Sequence, residues 1–491
     1  MEGNVKYPYD NTNPKEIELY ANSLIGKTFR EVMETSIFLD GYKDEFIEKY
    51  ENPNNKGGLG NIVQEAYFGY EVNNEATYDF DEAELELKVT CYDVLKNGKK
   101  SAGERLSLEM IAIDRPVEDD FYKSTCWTKC GLILLIYYER DKNIKDKLDY
   151  IIKYVKLFTP PEDDLVIIES DYKIIIDKIK NGIAETLSES DTMYLGAAPK
   201  GAGRGRDLRP QYYYPHNVAR RRGYCYKRNY MDVILNDYIL GNVNLYDKVL
   251  KDVNELKTKS FSEILKDRVI DYKGISIKEL CSKFDLDIVS FKKHKSLLSV
   301  LTFRMLGVKS NNAQEFIKAN IIVKTVRLEQ NGKNIESMSL PVFKFLDLAN
   351  EEVWEESELY NYFVNSKFLF SIFQNTDDGY VFKGLKLWSI SGDDLILMER
   401  DWKAARKIIR EGVKFKFTYQ KNGKLIIKNN FPGLNQTNIV HVRPHAAKSA
   451  YRINGEVYGD LKNANELPNG DMLTNSCFFI NNYYILKQIQ D

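Results

Sequence analysis

Asp79, Glu86 and Lys88 are the residues whose types and spacing best suit a chemical reaction. Glu86 and Lys88 are two residues apart in a segment that alternates apolar and polar residues, so both side chains are expected on one face of a strand. Asp79 lies seven residues before Glu86, at the far end of a predicted turn. Two carboxylates offer oxygen ligands to Mg²⁺, and a neighbouring lysine orients the attacking water and neutralises developing charge. The pattern Asp…Glu-x-Lys predicts hydrolysis of a phosphodiester with Mg²⁺.

The same residues have a simpler interpretation. A strand that reads Glu-x-Glu-x-Lys, here at residues 84–88, is commonly just the solvated face of an edge strand. Glu65, on the predicted helix before the strand, either supplies a third carboxylate or holds Lys88 in place. The sequence around the motif has to decide between the two interpretations.

Local signals predict the elements that would position these residues. Asn13-Pro14 precedes KEIELYANSLIGKTFREV and predicts a capped N-terminal helix. Residues 56–69 predict a glycine-rich entry into a second helix with apolar residues on one face. Asn97-Gly98 divides an alternating segment and predicts a hairpin, because both residues tolerate positive φ. Residues 130–138 predict a buried strand.

The same features recur, in the same order, in the second part of the chain. The first part has a proline loop at 195–203 and an aromatic closing strand at 222–231. The second part has a helical opening at 275–289, a hairpin dipeptide at Asn331-Gly332 and a lysine before an apolar strand at Ser366-Lys367. A proline loop at 442–450 and an aromatic strand at 476–485 follow. We therefore predict a tandem duplication. The first copy is predicted at 1–240, a charged helical connector at 241–272, and the second copy at 273–491.

The motifs GNIVQEAYFG, DFDEAELELK, Thr128-Lys129, PKGA and RGYCY, in this order, resemble the MutH family. That family includes a mismatch-repair nicking endonuclease and two-copy type II restriction endonucleases that cut at GATC. The resemblance covers essentially the whole chain, once in each half. It implies an α/β fold of the restriction-endonuclease-like, PD-(D/E)xK type, a mixed sheet flanked by helices, present in tandem. It also implies Mg²⁺-dependent hydrolysis of duplex DNA that leaves 5′-phosphate ends. The catalytic residues of the family fall on Glu65, Asp79, Glu86, Lys88 and Lys129, with Asp79 and Glu86 as metal ligands.

The second half departs from the family's catalytic motif. Phe303 takes the place of Glu65 and Ile322 that of Glu86, while Glu315 is matched to Asp79. Lys324 and Lys367 are matched to the two lysines. One carboxylate with two lysines would bind Mg²⁺ poorly but would still attract a phosphate backbone. We predict that this half is a pseudo-nuclease that binds a second DNA site and acts as an allosteric effector.

A basic cluster predicts where DNA is bound. Residues 199–228 hold nine basic residues and one acid, interleaved with tyrosines, in a chain whose net charge is −2. The alternative is a solvated loop with incidental charge. The proline loop of MutH reads Arg-Pro-Lys, whereas this chain has Ala198-Pro199-Lys200 first and Arg443-Pro444-His445 later, which leaves base readout by the first half open. His441 and His445 are assigned to this DNA-facing loop rather than to a metal. The predicted DNA contacts are Lys56, Lys200, Arg204, Arg206, Arg222, Tyr224, Arg443 and His445.

Composition limits the other possibilities. The six cysteines are scattered, and with only four histidines Cys126 and Cys130 are predicted to be buried thiols rather than zinc ligands. No apolar stretch is long enough to span a bilayer, so we expect a cytoplasmic protein without a membrane partner. The expected partners are double-stranded DNA, with two sites joined by looping, and a cognate DNA methyltransferase. The chain is expected to be a monomer that associates on DNA. A methylation-dependent endonuclease, a strand-nicking repair enzyme and a non-enzymatic DNA-binding regulator remain alternatives.

Overall fold

The structure is a computed structural model that describes residues 7–52, 58–72, 77–201, 207–242, 244–287, 296–420, 423 and 425–490. The chain divides into two compact units. The first unit contains Met1–Thr258 and Gln314–Asn320, and the second contains Lys259–Ala313 and Ile321–Asp491. In the described part, no helix is both long enough and apolar enough to cross a membrane. The division at residues 258 and 259 falls inside the predicted connector, which includes the helix Phe261–Arg268.

The first unit combines helices with mixed sheets. Its described strands, in chain order, are β1 Glu86–Val94, β2 Lys100–Ala102, β3 Leu106–Met110, β4 Ile133–Glu139, β5 Ile152–Phe158, β6 Leu195–Pro199, β7 Leu208–Pro210, β8 Val218–Arg220 and β9 Arg222–Tyr226. Its described α-helices are Pro14–Ala21, Phe29–Glu34, Lys43–Glu51, Leu59–Ile62, Thr125–Thr128, Glu162–Lys180, Arg228–Val233 and Gln314–Lys318, and π-helical turns follow at Val63–Phe68 and Ile234–Ile239.

Two sheets organise this unit. In the first sheet the strand order is β2-β1-β4-β5, and β1 runs parallel to β4 while the other neighbours are antiparallel. The second sheet has the antiparallel order β3-β9-β6, with a register shift between Ser107 and Met110. On the long helix, Asp171 accepts backbone hydrogen bonds from Met193, Tyr194 and Leu195, which fixes the start of β6.

Several local predictions are confirmed. The Asn13 side chain caps the first helix by accepting a hydrogen bond from the Lys15 backbone. Gly98 has φ +79° in the turn between β1 and β2, a left-handed conformation that favours glycine. The predicted apolar helix face at 59–68 is buried. Cys126 and Cys130 are buried free thiols, and no disulfide joins them.

The second unit has the same kinds of elements. Its described strands are β10 Ile321–Leu328, β11 Met338–Phe343, β12 Lys367–Thr376, β13 Gly379–Trp388, β14 Phe415–Tyr419, β15 Leu425–Asn429, β16 Val440–Pro444, β17 Tyr451–Ile453, β18 Glu456–Tyr458, β19 Ala464–Glu466, β20 Met472–Thr474 and β21 Ser476–Ile480. Its described α-helices are Phe261–Arg268, Ile277–Lys283, Leu297–Met305, Phe345–Asn350, Glu358–Val364, Gly392–Glu411 and Asn482–Gln490. These mixed sheets and helices agree with the predicted α/β class.

The sheets of the second unit follow a pattern already met in the first. One sheet has the order β10-β12-β13, with β10 parallel to β12 and β13 antiparallel to it. Another has the antiparallel order β11-β21-β16, with a register shift between Ser339 and Val342. On the long helix of this unit, Asp401 accepts backbone hydrogen bonds from Asn438, Ile439 and Val440, at the start of β16.

Candidate active site

Strand β1 places Glu86 and Lys88 in the first unit. Its first residue, Glu86, is paired with Ile133 of β4, and its backbone N–H donates to the Leu132 carbonyl at 3.1 Å. Leu85 and Leu87, which flank Glu86, are buried in the apolar core and fix the strand against it. Glu86 itself is only 1% exposed. A charged group so deeply buried requires charged or hydrogen-bonding partners.

Two lysines provide those partners. Lys88 Nζ donates to Glu86 Oε1 at 2.5 Å, and Lys129 Nζ donates to Glu86 Oε2 at 2.8 Å. Lys129 also donates to the Thr77 carbonyl. It follows the short helix Thr125–Thr128, which Ser124 caps, so the end of that helix directs the lysine towards β1. The two lysines predicted from the sequence therefore meet on one carboxylate.

Asp79 reaches the same strand through a tight turn. Its Oδ2 accepts a hydrogen bond from the Leu87 backbone N–H at 2.9 Å, so the aspartate is fixed beside the residue between Glu86 and Lys88. The turn closes with an isolated bridge between Phe80 and Leu85. The structure thus brings together Asp79, Glu86, Lys88 and Lys129, as the sequence predicted.

The electrostatic balance at Glu86 favours binding of a cation. Burial raises the pKa of the Glu86 carboxyl, the positive charge of Lys88 lowers it, the negative charge of Asp79 raises it again, and Lys129 lowers it. The net direction is upward, so the two lysines do not fully offset burial and the neighbouring aspartate. A cation held by Asp79 and Glu86 would favour the ionised form of Glu86.

Glu65 lies on the π-helical turn Val63–Phe68, where its Oε2 forms an ion pair with Lys49 Nζ at 3.8 Å. Burial raises the pKa of Glu65, and Lys49 partly offsets the effect. Lys88 is held by Glu86, so the suggestion that Glu65 holds Lys88 is corrected. A role for Glu65 as a third carboxylate stays a prediction.

The donors at this site fit a magnesium ion that keeps part of its water shell. Within the described ranges no group of three or more His, Cys, Asp and Glu side chains is arranged for a metal. Mg²⁺ does not need one, because it is commonly held by one or two carboxylates, with water and substrate phosphate completing its octahedron. Asp79 and Glu86 are two hard oxygen donors, and Asp79 is bonded to the backbone N–H of Leu87, the residue next to Glu86.

The basic region of the first unit is only partly as predicted. Lys200 and Arg222 are half-buried, and Arg222 donates to the Ala197 carbonyl at 2.9 Å. Tyr224 is 4% exposed and packs against Tyr172 with ring centroids 5.6 Å apart, so its predicted contact with DNA is corrected to a core position. The predicted contacts Lys56, Arg204 and Arg206 lie outside the described residues.

In the second unit, Arg443 and His445 are exposed, as a DNA contact requires. The Arg443 guanidinium lies 5.0 Å from the centre of the Phe479 ring, and the His445 ring is 5.9 Å from that ring. His441 does not belong to the exposed loop. It is buried on β16, and its Nδ1 is 2.6 Å from Asn481 Oδ1, which corrects its assignment as DNA-facing.

Two proposed counterparts of catalytic residues are also corrected. Glu315 is not equivalent to Asp79, because it belongs to the first unit and accepts backbone hydrogen bonds from Val249 and Leu250. Lys367 on β12 is paired with Ile321 on β10, and Ile321 lies three residues before Lys324. Side chains alternate along a strand, so Lys367 and Lys324 point to opposite faces of the sheet. Lys367 donates to Ser389 Oγ instead.

Sequence reasoning missed the pair formed by Arg105 and Glu189. Arg105 NH1 lies 3.1 Å from Oε1 of Glu189, whose side chain is buried. The two residues are far apart in the sequence, and neither belongs to a recognisable spacing pattern. Only the pairing of β3, β6 and β9 brings them together.

Comparison with known proteins agrees with this geometry. A family model described as the DNA mismatch repair enzyme MutH matches residues 68–171. That range contains Asp79, Glu86, Lys88 and Lys129. The chain is also similar to the type II restriction enzyme Sau3AI of Staphylococcus aureus, with 35% identity over 463 residues, which cover 89% of this chain and 93% of that protein.

Proposed function

The chain belongs to the MutH-related type II restriction endonucleases, and from that premise we propose that it cuts duplex DNA at GATC or a closely related site with Mg²⁺. The observation that supports the chemistry best is the convergence of Lys88 and Lys129 on Glu86, beside Asp79. A buried carboxylate contacted by two lysines is more than the solvated face of an edge strand. It also argues against a non-enzymatic DNA-binding regulator.

The residues of the site have distinct roles in the proposed reaction. Asp79 and Glu86 would hold Mg²⁺, which supplies an activated water and stabilises charge on the phosphate when it is bound. Lys88 orients the water and stabilises the negative charge that develops on the phosphate oxygens. Lys129 holds Glu86 from the other side, so that the carboxylate keeps its orientation when Lys88 turns towards the substrate. The products are a 5′-phosphate and a 3′-hydroxyl.

The first test concerns the DNA sequence. Plasmid should be cut at GATC, on the 5′ side of the guanine, and sequencing of the fragment ends would show the position. Methylated and unmethylated plasmid should be digested side by side. Cleavage of the methylated form alone would favour a methylation-dependent endonuclease, and nicks without double-strand breaks would favour a repair enzyme. Ends that share no GATC on either plasmid would refute the proposed site.

We further propose that the two units arose by tandem duplication. Both contain a parallel strand pair extended by an antiparallel strand, β1-β4-β5 and β10-β12-β13. Both have a second sheet whose first strand carries a register shift. In both, an aspartate on the long helix, Asp171 or Asp401, accepts three backbone hydrogen bonds at the start of the strand that leads into the proline loop.

The second unit is proposed to bind another DNA site and to stimulate the first. It retains the exposed Arg443 and His445, whereas the position matched to Glu86 holds Ile322. A cell that contains this nuclease needs a methyltransferase to protect its own sites, and we propose such an enzyme as functional partner. The free protein is proposed to be a monomer, with two sites brought together by DNA looping.

Stimulation by a second site should be visible in cleavage rates. Coupling between binding sites is typically about 5- to 150-fold, so two-site plasmids should be cut faster than one-site plasmids by a factor in that range. A short duplex with the site should stimulate cleavage of one-site plasmid. Arg443→Ala should remove the stimulation and spare basal cutting. Arg410→Ala is the matched control, because Arg410 is also exposed in this unit but is held by Glu352. Equal rates on both plasmids, without a response to added duplex, would reduce the second unit to a DNA clamp.

A further inference from the structure

A second charged cluster, around buried Glu189, lies on the sheet β3-β9-β6 of the first unit. Glu189 is 1% exposed, and Arg105 NH1 lies 3.1 Å from its Oε1. Cys225 Sγ is 3.9 Å from the other carboxylate oxygen. A carboxylate buried to this degree is costly unless cations accompany it, and both Arg105 and buried Lys227 interact with Glu189. The ion pair restrains the guanidinium of Arg105. The Arg105 side chain is nevertheless 35% exposed, so part of it faces solvent.

Lys200 is folded back towards Arg105 across the same sheet. Lys200 follows β6, and its Nζ donates to Ser107 Oγ at 2.7 Å, two residues beyond Arg105. The side chain takes this path over Gly223, where a Cβ atom would come within 2.8 Å of Lys200 Cε. The absence of a side chain at residue 223 thus allows the lysine to lie flat. Arg105 and Lys200 form a pair of cations at the start of β3.

Lys200 of this pair interacts electrostatically with a lysine of the active site. Burial lowers the pKa of Lys200, and the positive charges of Arg105 and Lys88 lower it further. Lys88 is one of the two lysines that contact Glu86. Cations that disfavour one another's charged forms gain stability when an anion binds between them. The polyanion that the active site receives is DNA, whose phosphates are spaced regularly along each strand.

We propose that Arg105 binds a backbone phosphate of the DNA that lies across Lys88, and that Glu189 is a positioning residue which fixes Arg105 for this contact. The inference rests on the proposed function, because it assumes that DNA lies across Lys88. With this contact the first unit has an arginine restrained for DNA binding, although its proline loop, Ala198-Pro199-Lys200, contains no arginine. Arg105 lies directly before β3 and is restrained by a buried carboxylate, so it sets the register of the DNA and does not read its sequence.

Binding measurements with Ca²⁺ in place of Mg²⁺ test the contact without cleavage. The affinity of wild type and Arg105→Ala should be measured over a range of salt concentrations, on a duplex with GATC and on one without it. Loss of one phosphate contact should reduce the slope of log K against log [salt] by about 1, on both duplexes. In cleavage assays the same variant should have a raised KM and a nearly unchanged kcat.

A double variant separates this contact from simple neutralisation of Glu189. In Arg105→Ala with Glu189→Gln, the arginine and the carboxylate that it neutralises are removed together, and buried Lys227, which also interacts with Glu189, keeps its interaction with Asp171. If Arg105 only neutralises Glu189, the double variant should regain the wild-type affinity and salt slope, and this would overturn the proposal. We expect instead that it folds as wild type does and keeps the reduced slope. Glu189→Gln alone should weaken binding but keep the wild-type slope, because the Arg105 charge remains.

Arg30→Ala is the matched control. Arg30 is also partly exposed, at 28%, but it is paired with three carboxylates, Glu51, Asp146 and Asp149. Their negative charges repel a phosphate, so this arginine should not affect the slope. If Arg105→Ala leaves the slope unchanged but relaxes discrimination against one-base variants of GATC, Arg105 reads a base and the proposal is wrong. A wild type that binds DNA but does not cut it would refute the proposed function and leave this comparison intact.

Discussion

Glu86→Gln is expected to reduce cleavage by about 1000-fold or more while the protein still folds and binds DNA. Glutamine keeps the shape of the side chain, and its amide oxygen still accepts a hydrogen bond from Lys88 or Lys129. It removes the negative charge that the metal requires, and loss of a group that stabilises transition-state charge commonly costs that much. Single-turnover rates on plasmid with Mg²⁺, together with DNA binding in Ca²⁺, would measure the effect.

Glu84→Gln is the control for this substitution. Glu84 belongs to the same Glu-x-Glu-x-Lys segment but is exposed, with φ +48°, at the end of the turn before β1. The change of charge is identical, so the variant should cut nearly as fast as wild type. Comparable losses in both variants would mean that the segment contributes only general charge, and the assignment of Glu86 would fail.

Lys88→Ala is expected to reduce the cleavage rate by about 100- to 1000-fold relative to wild type, nearly as much as Glu86→Gln. A higher concentration of Mg²⁺ should not restore the rate. The lysine acts on the water and the phosphate and is not a metal ligand, so a saturating concentration of Mg²⁺ should give a low plateau. Asp79→Asn should behave differently, because the loss of a ligand shifts the dependence on Mg²⁺ to higher concentrations. A titration of the cleavage rate with Mg²⁺ separates the two defects.

The control for Lys88→Ala is Lys100→Ala. Lys100 is also half-buried, and it lies on β2 at the far end of the same sheet, where its ammonium contacts Tyr154. It should cleave at close to the wild-type rate. Recovery of Lys88→Ala at high Mg²⁺ would show that the lysine serves metal binding instead.

The features that could be predicted from the sequence are those set by neighbouring residues. The Asn13 cap and the turn at Asn97-Gly98 depend on local hydrogen bonds and local φ preferences, and both are present. Glu86 and Lys88 share a face because side chains alternate along any strand. The closeness of Asp79 was predicted from its spacing across a short turn, whereas that of Lys129 came from the family resemblance, since no local pattern places Lys129 there.

The features that could not be predicted depend on contacts distant in sequence. Tyr224 alternates with basic residues as an exposed tyrosine would, but β9 is the central strand of its sheet, so the ring is buried against Tyr172. Glu315 precedes β10 as Asp79 precedes β1, yet its helix packs in the first unit, where Lys318 contacts Asp164. Such placements follow from packing, which sequence spacing does not encode.

Cleavage of each strand of a short duplex with one GATC, labelled at both 5′ ends, tests the central claim most directly. If Glu86 belongs to the one centre that cuts, wild type with Mg²⁺ should cut both strands 5′ of the guanine, and Glu86→Gln should cut neither under the same conditions. Cleavage of either strand by Glu86→Gln at a rate near that of wild type would contradict the account, because a centre elsewhere in the chain would then perform the reaction.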